Sequence, residues 1–152
     1  MCNSAALIVA AGRGSRYGAA GPKQYEHLAG KPLLRHAVNA FLAAPVVGSV
    51  CCVIHADDRE IYECATVGIA PDRLLPPVIG GATRQVSVRR GLEALAASGA
   101  APETVLIHDA ARPLLPAAVI ARVLAALACH RGAIPALPVA DTLKRADANG
   151  LV

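Results

Sequence analysis

The run Ala5-Ala6-Leu7-Ile8-Val9-Ala10 contains no polar residue and ends at once in the stretch Ala11-Gly12-Arg13-Gly14. A short apolar run with no alternation, stopped by glycines, reads as a strand covered on both faces. Such strands occur in parallel sheets with helices packed on either side, so the rest of the chain should alternate strand and helix.

It does. Leu33, Leu34, Ala37, Val38, Phe41 and Leu42 recur at helical spacing between Pro32 and Pro45, which suit a helix's first turn and its stop. The same reading predicts a strand over 49–54, a short helix over 57–65 opening on acids, and a Pro- and Gly-rich loop over 76–83. It then predicts a helix over 84–97, a strand over 104–107 ending in His108-Asp109, and a helix over 116–129. A last strand is expected over 133–139, although Pro135 and Pro138 weaken its place in a sheet. The alternation implies one α/β domain over 1–152, a doubly wound, mostly parallel sheet with right-handed crossovers and helices on both faces.

Composition narrows the function. With 55% hydrophobic and 17% charged residues, the 152-residue chain belongs with packed globular domains. Every apolar run is broken before the roughly 18 residues a membrane span needs, and the N-terminal stretch lacks the charged start of a signal peptide. A cytoplasmic protein is expected. Five cysteines, with only Cys51 and Cys52 close together, fit buried reduced thiols better than a disulfide framework or a metal site. The charge is mildly basic, 15 Lys and Arg against 11 Asp and Glu, and is spread along a chain with few aromatics. That argues against nucleic acid and for small anionic ligands, since arginine forks and lysine ammoniums both suit phosphates.

In doubly wound sheets ligands bind outside the carboxyl ends of the strands, so the residues that follow each apolar run carry the chemistry. After the first run come Gly12 and Gly14, then Arg16, then Pro22-Lys23-Gln24-Tyr25. Glycines let backbone N–H groups cradle a polyphosphate, and Arg16 and Lys23 would add charge. A plain surface turn is the alternative, which the position after the first buried strand disfavours. Tyr17 breaks the dinucleotide fingerprint, and Pro22 before Lys23 breaks the Walker sequence.

Gly80-Gly81-Ala82-Thr83-Arg84-Gln85-Val86-Ser87 leads glycines into a helix N-terminus, with Thr83 equally readable as an N-cap and Arg84 as a solvated charge. In His108-Asp109-Ala110-Ala111-Arg112-Pro113, Asp109 is placed to hold Mg²⁺ against phosphates and Arg112 to clamp a second anion. His108 reads as a packing histidine. Asp141-Thr142-Leu143-Lys144 alone is a polar turn, and the remaining histidines lack metal-ligand spacing.

Taken in order, these motifs resemble the 2-C-methyl-D-erythritol 4-phosphate cytidylyltransferases of non-mevalonate isoprenoid biosynthesis; His-Asp-Ala-Ala-Arg-Pro and Pro-Lys-Gln-Tyr separate them from sugar-nucleotide pyrophosphorylases. The resemblance implies a Rossmann-like nucleotidyltransferase fold and transfer of CMP from CTP to a sugar-alcohol phosphate. It assigns Arg16 and Lys23 to the transition state and Ala10, Ala11, Gly12, Gly14, Gly81, Ala82 and Ser87 to CTP. Asp109, Arg112 and Thr142 would face the acceptor, with Arg84 and Lys144 as further candidates, and Mg²⁺ would bridge the phosphates with Asp109 as its ligand.

A homodimer is implied for the full-length protein, with residues 138–152 beginning a dimerisation arm. Family members continue past the Asp-Thr-x-Lys segment, whereas this sequence stops at Val152. It is therefore expected to be the N-terminal portion of a longer enzyme, such as one fused to a second pathway domain, or a truncated chain with an incomplete site. The competing readings are a pentitol-phosphate relative, a non-catalytic nucleotide-binding module, and a dehydrogenase-like domain in which Asp57 or Asp58 would hold a ribose.

Overall fold

A computed structural model describes residues 4–13, 21–99 and 101–151. The chain divides into two compact units, residues 1–120 and 121–152. The first begins with β1 (Ser4–Ala10), a 3-10 turn (Lys23–Tyr25) and the small antiparallel hairpin of β2 (His27–Leu28) and β3 (Lys31–Pro32). Ala29 and Gly30 close that hairpin with φ of 50° and 76°, the left-handed pair of a tight two-residue turn. Then come α1 (Leu33–Leu42), β4 (Val47–Ile54), α2 (Arg59–Thr66), β5 (Val78–Ile79), α3 (Arg84–Ala97) and β6 (Thr104–Asp109). α4 (Ala117–Leu127) runs across the division between the units.

The main sheet has the order β5-β4-β1-β6, and all its pairings are parallel. β1 is central. Successive strands first move away from it to β4 and β5, then the chain returns to lay β6 along its other edge. Period-2 alternation sends Ala5 and Leu7 into one layer, where they pack with Cys51, Val53 and Leu95, the last from α3. His108 on β6 meets Phe41 of α1 edge-to-face, with ring centroids 5.3 Å apart, on the opposite side. Helices therefore cover both faces, the doubly wound arrangement that the unbroken apolar run demanded.

α3 comes close to the sheet at Gly91. A Cβ there would lie 2.4 Å from Leu7 Cδ1 and 2.8 Å from Val53 Cγ2. The buried residues of α3 are accordingly Ser87, Gly91 and Leu95, while Leu92 is exposed.

Two expectations need correction. The loop over 76–83 contains the two-residue strand β5, which a periodicity argument cannot register at that length. The strand expected over 133–139 does not form: among the described residues nothing after β6 is a strand, and Ile134, Leu137 and Val139 are exposed. Pro135 and Pro138 each remove an N–H from any ladder there.

Cys51 and Cys52 are core thiols, and burial pushes them up to about 11 and about 12 respectively. Cys64 and Cys129 are exposed. Alkylation of the folded protein near neutral pH is expected to mark Cys64 and Cys129 and spare the adjacent pair until unfolding, because only an accessible thiolate reacts. Peptide mapping by mass spectrometry checks this; labelling of Cys52 as fast as Cys64 would contradict the core placement.

Candidate functional site

Parallel pairing brings the carboxyl ends of the strands to one edge: Val9 of β1 pairs with both Val53 of β4 and Asp109 of β6. At that edge, where the strand order reverses, a cleft of about 390 Å³ opens. Val9, Ala11, Gly12 and Arg13 form one wall. Gly81, Ala82 and the start of α3, with Thr83, Arg84 and Ser87, form the wall facing it, and His55 and Asp109 complete the lining.

The second wall is built by local rules. Thr83 caps α3, its hydroxyl accepting from Val86 N at 3.2 Å, so the positive end of a 14-residue helix is presented to the cleft. Ser87, almost fully buried, accepts from Gly81 N at 3.1 Å and donates to Thr83 O at 3.0 Å, which folds the glycine loop back onto the helix. Arg90 pins the same loop from outside, donating to Gly80 O at 2.7 Å. At Gly80 the walls almost touch, because an added Cβ would sit 2.5 Å from Ala11 Cβ and 2.8 Å from Ser87 Oγ.

Asp109 stands between two guanidiniums. Arg84 donates to its Oδ1 from Nε at 3.0 Å and Nη2 at 2.9 Å, and Arg112 Nε lies 3.2 Å from its Oδ2. All three side chains reach solvent, so these pairs add little stability and serve chiefly to orient the arginines. Among the described residues no group of three or more His, Cys, Asp or Glu gathers to hold a metal. Mg²⁺ commonly takes only one or two protein carboxylates and completes its shell with phosphate oxygens and water, so Asp109 could serve an ion that arrives on a nucleotide once Arg84 or Arg112 releases an oxygen to it.

The cleft thus unites Ala11, Gly12, Gly81, Ala82, Arg84, Ser87 and Asp109. Ala10 sits behind it at the buried end of β1, its carbonyl accepting from Gln24 Nε2. Lys23 begins the neighbouring 3-10 turn and is half-buried, and Arg112 joins the site only through Asp109. Gly14 and Arg16 lie outside the described residues. Thr142 and Lys144 belong to the 121–152 unit, where Asp141–Lys144 is exposed chain without helix or strand. His108 is the packing histidine expected, its Nε2 2.9 Å from Arg112 O. Asp58 is buried and paired with Arg13, a poor ribose ligand for a dehydrogenase-like reading.

Two lining residues, Arg13 and His55, escaped the motifs. Arg13 passed as the variable residue between two glycines, yet a cation at that place and a polar cluster directly after the second long strand were both visible in the sequence.

A parallel sheet with a cleft at its switch point, walled by glycine loops and a helix N-terminus, places the protein in the Rossmann-like α/β class. Residues 4–152 match the family model of 2-C-methyl-D-erythritol 4-phosphate cytidylyltransferase (IspD). The chain belongs to that family.

Among similar proteins, the bifunctional enzyme IspD/IspF of Rhodospirillum rubrum is 57% identical over 152 residues, which is all of this chain and 38% of the relative. That of Paramagnetospirillum magneticum is 52% identical over 145 residues, 95% of this chain and 36% of the relative. The chain therefore spans little more than a third of these relatives. A crystal structure of 4-diphosphocytidyl-2C-methyl-D-erythritol synthase superposes with a TM-score of 0.78 at 33% identity, covering 99% of this chain and 67% of that one. The 4-diphosphocytidyl-2C-methyl-D-erythritol synthase of Anaerococcus prevotii gives a TM-score of 0.78 at 25% identity, covering 97% and 60%.

Proposed function

We propose that this chain is the nucleotide-binding portion of a cytidylyltransferase that moves CMP from CTP to the phosphate of 2-C-methyl-D-erythritol 4-phosphate. The observation that carries this reading is the meeting of the Gly12 loop, the Gly80-Gly81 loop and Asp109 in one cleft, in a member of this family. A phosphate oxygen of the acceptor attacks the α-phosphorus of CTP, the bond from that phosphorus to the bridging oxygen of the β-phosphate breaks, and pyrophosphate leaves. A phosphate monoester with a second pKa of about 6 is already deprotonated near neutrality, so the step needs no general base.

What the protein supplies is position and positive charge. Arg16 and Lys23 are assigned to the charge that builds on the α-phosphate. Ala10, Ala11, Gly12, Gly14, Gly81, Ala82 and Ser87 are assigned to the nucleotide, and Asp109, Arg112 and Thr142 to the acceptor side. Arg84, which donates to Asp109 Oδ1 from the first turn of α3, and Lys144 are further candidates. Mg²⁺ would supply charge neutralisation on the triphosphate, with Asp109 as its protein carboxylate. No helix among the described residues is long and apolar enough to cross a membrane. With the reading go a cytoplasmic enzyme, consistent with the buried free thiols, and a homodimer.

Titration of the full-length protein with CTP, ATP and GTP in the presence of Mg²⁺ tests it. CTP is expected to bind at least about tenfold more tightly than either purine nucleotide, because hydrogen-bonding groups in a pyrimidine-sized pocket are left unpaired by the wrong base. Pyrophosphate release should require both CTP and methylerythritol phosphate. Equal affinities with no release would leave a general nucleotide-binding module instead.

A further inference from the structure

The loop that follows β1 is tied down by side chains to which no ligand role has been assigned. Gln24 Nε2 donates to Gly12 O at 3.1 Å as well as to Ala10 O, holding the start of the loop. Arg13, in the wall of the cleft, reaches to the turn after β4. Its Nη1 donates to Asp58 Oδ1 at 3.2 Å, and its Nη2 donates to Asp57 Oδ2 and lies 2.7 Å from His55 Nδ1. Arginine can only donate, and Asp57 N also points at that ring nitrogen at 3.2 Å, so His55 Nδ1 is the acceptor of both.

Asp58 is the unusual member. Its side chain is only 5% exposed, and its second oxygen, Oδ2, is buried without a hydrogen-bond partner among the described residues. Burial pushes its carboxyl up from the ordinary carboxylate range, and Arg13 pulls it back. The Tyr25 hydroxyl is likewise buried without a partner among the described residues, and it feels the charge of Asp58. Tyr25 ends the 3-10 turn that Lys23 begins. A half-satisfied buried carboxylate is a cost to the fold, and what stands on it here is the conformation of two loops beside the cleft.

We propose that Arg13 and Asp58 form a positioning pair that fixes the backbone at Gly12 and Arg13 for phosphate binding, with Arg13 an anchor and not a ligand of the nucleotide. This rests on the nucleotide-binding reading above. If Arg13 turned its guanidinium to a nucleotide it would abandon three acceptors and leave Asp58 buried without its cation. While it stays, the Gly12 segment keeps its place in the wall.

The test uses the full-length protein with Arg13→Ala, Arg13→Lys, Asp58→Asn and the Arg13→Ala/Asp58→Asn double variant, titrated with CTP, inorganic tripolyphosphate and cytidine. Asp58→Asn is expected to weaken CTP and tripolyphosphate by the same factor, about tenfold, with cytidine changed less than about twofold. The double variant should be no weaker than Arg13→Ala alone, since two members of one pair are not additive. Arg13→Lys should recover only part of the loss, because an ammonium cannot span three acceptors. It also carries the comparison if Asp58→Asn does not fold.

Normal tripolyphosphate binding in Asp58→Asn beside its loss in Arg13→Ala would make Arg13 a direct ligand and overturn the proposal. Equal loss of all three probes would reduce the pair to a structural contact and overturn it too. A wild-type protein that binds tripolyphosphate but prefers ATP to CTP would refute the cytidylyl reading while the phosphate titrations still judge the pair. One that binds neither would end both.

Discussion

Lys23→Ala in the full-length protein is expected to lower turnover with CTP and methylerythritol phosphate by about a hundredfold or more, some 2.7 kcal/mol of barrier. Lys23 opens a turn whose buried members are Gln24 and Tyr25, so the fold at that point is held by its neighbours. Its assigned task is charge at the α-phosphate, where an interaction made mainly in the transition state appears in kcat and leaves CTP affinity nearly unchanged. Steady-state kinetics and a thermal melt on the same preparation decide the matter. A loss smaller than about tenfold in turnover, or one that appears only with a fall in melting temperature, would remove Lys23 from the chemistry.

Gly80→Ala should be nearly as damaging for a different reason. The added methyl would stand 2.5 Å from Ala11 Cβ, 2.8 Å from Ser87 Oγ and 3.2 Å from Val53 Cγ1. Ala11 has no rotamer to escape into, and Ser87 is held by Gly81 and Thr83, so relief must come from moving the backbone of the two walls apart. Overpacking of this kind costs about 1–3 kcal/mol of stability. Because the strain falls between the walls of the cleft, CTP affinity is expected to fall about tenfold as well, even at temperatures where the variant is fully folded. Gly99→Ala is the matched control, since a Cβ at Gly99 meets nothing within 4 Å and no ligand role is assigned to it. Equal effects at the two positions would show that spacing between the walls is not what Gly80 provides.

Much of this architecture could be read from the chain because parallel strands announce themselves. Ala5–Ala10 is apolar throughout, and the chemistry-bearing residues Gly12, Gly81 and Asp109 each follow an apolar or loop boundary at the same edge of the sheet. The helix over 84–97 was legible in extent through its Thr83 cap. Its inner face was not: Leu92, at helical spacing from Val88 and Leu95, is exposed, while the close contact with the sheet is Gly91, which carries no hydrophobic signal at all. β5 was hidden by brevity. The strand expected over 133–139 shows the opposite failure, where apolar residues without available N–H groups promised a ladder that does not form. Arg13 and His55 were missed because their partnership joins positions more than forty residues apart, which no local motif records.

The central place of β1 also shapes how the protein is made. During synthesis β1 emerges first and can pair with β4 soon afterwards, but its other edge waits for β6, which pairs Ser4 with Thr104. At ordinary elongation rates that gap is on the order of several seconds, during which the most apolar strand of the protein shows an open row of backbone groups. Non-local parallel pairing of this kind is also slow to form once the partner is available. The nascent chain is therefore most vulnerable to intermolecular strand pairing between the completion of β4 and the arrival of β6, and slower growth temperatures or added chaperone capacity act on that interval rather than on the stability of the finished domain.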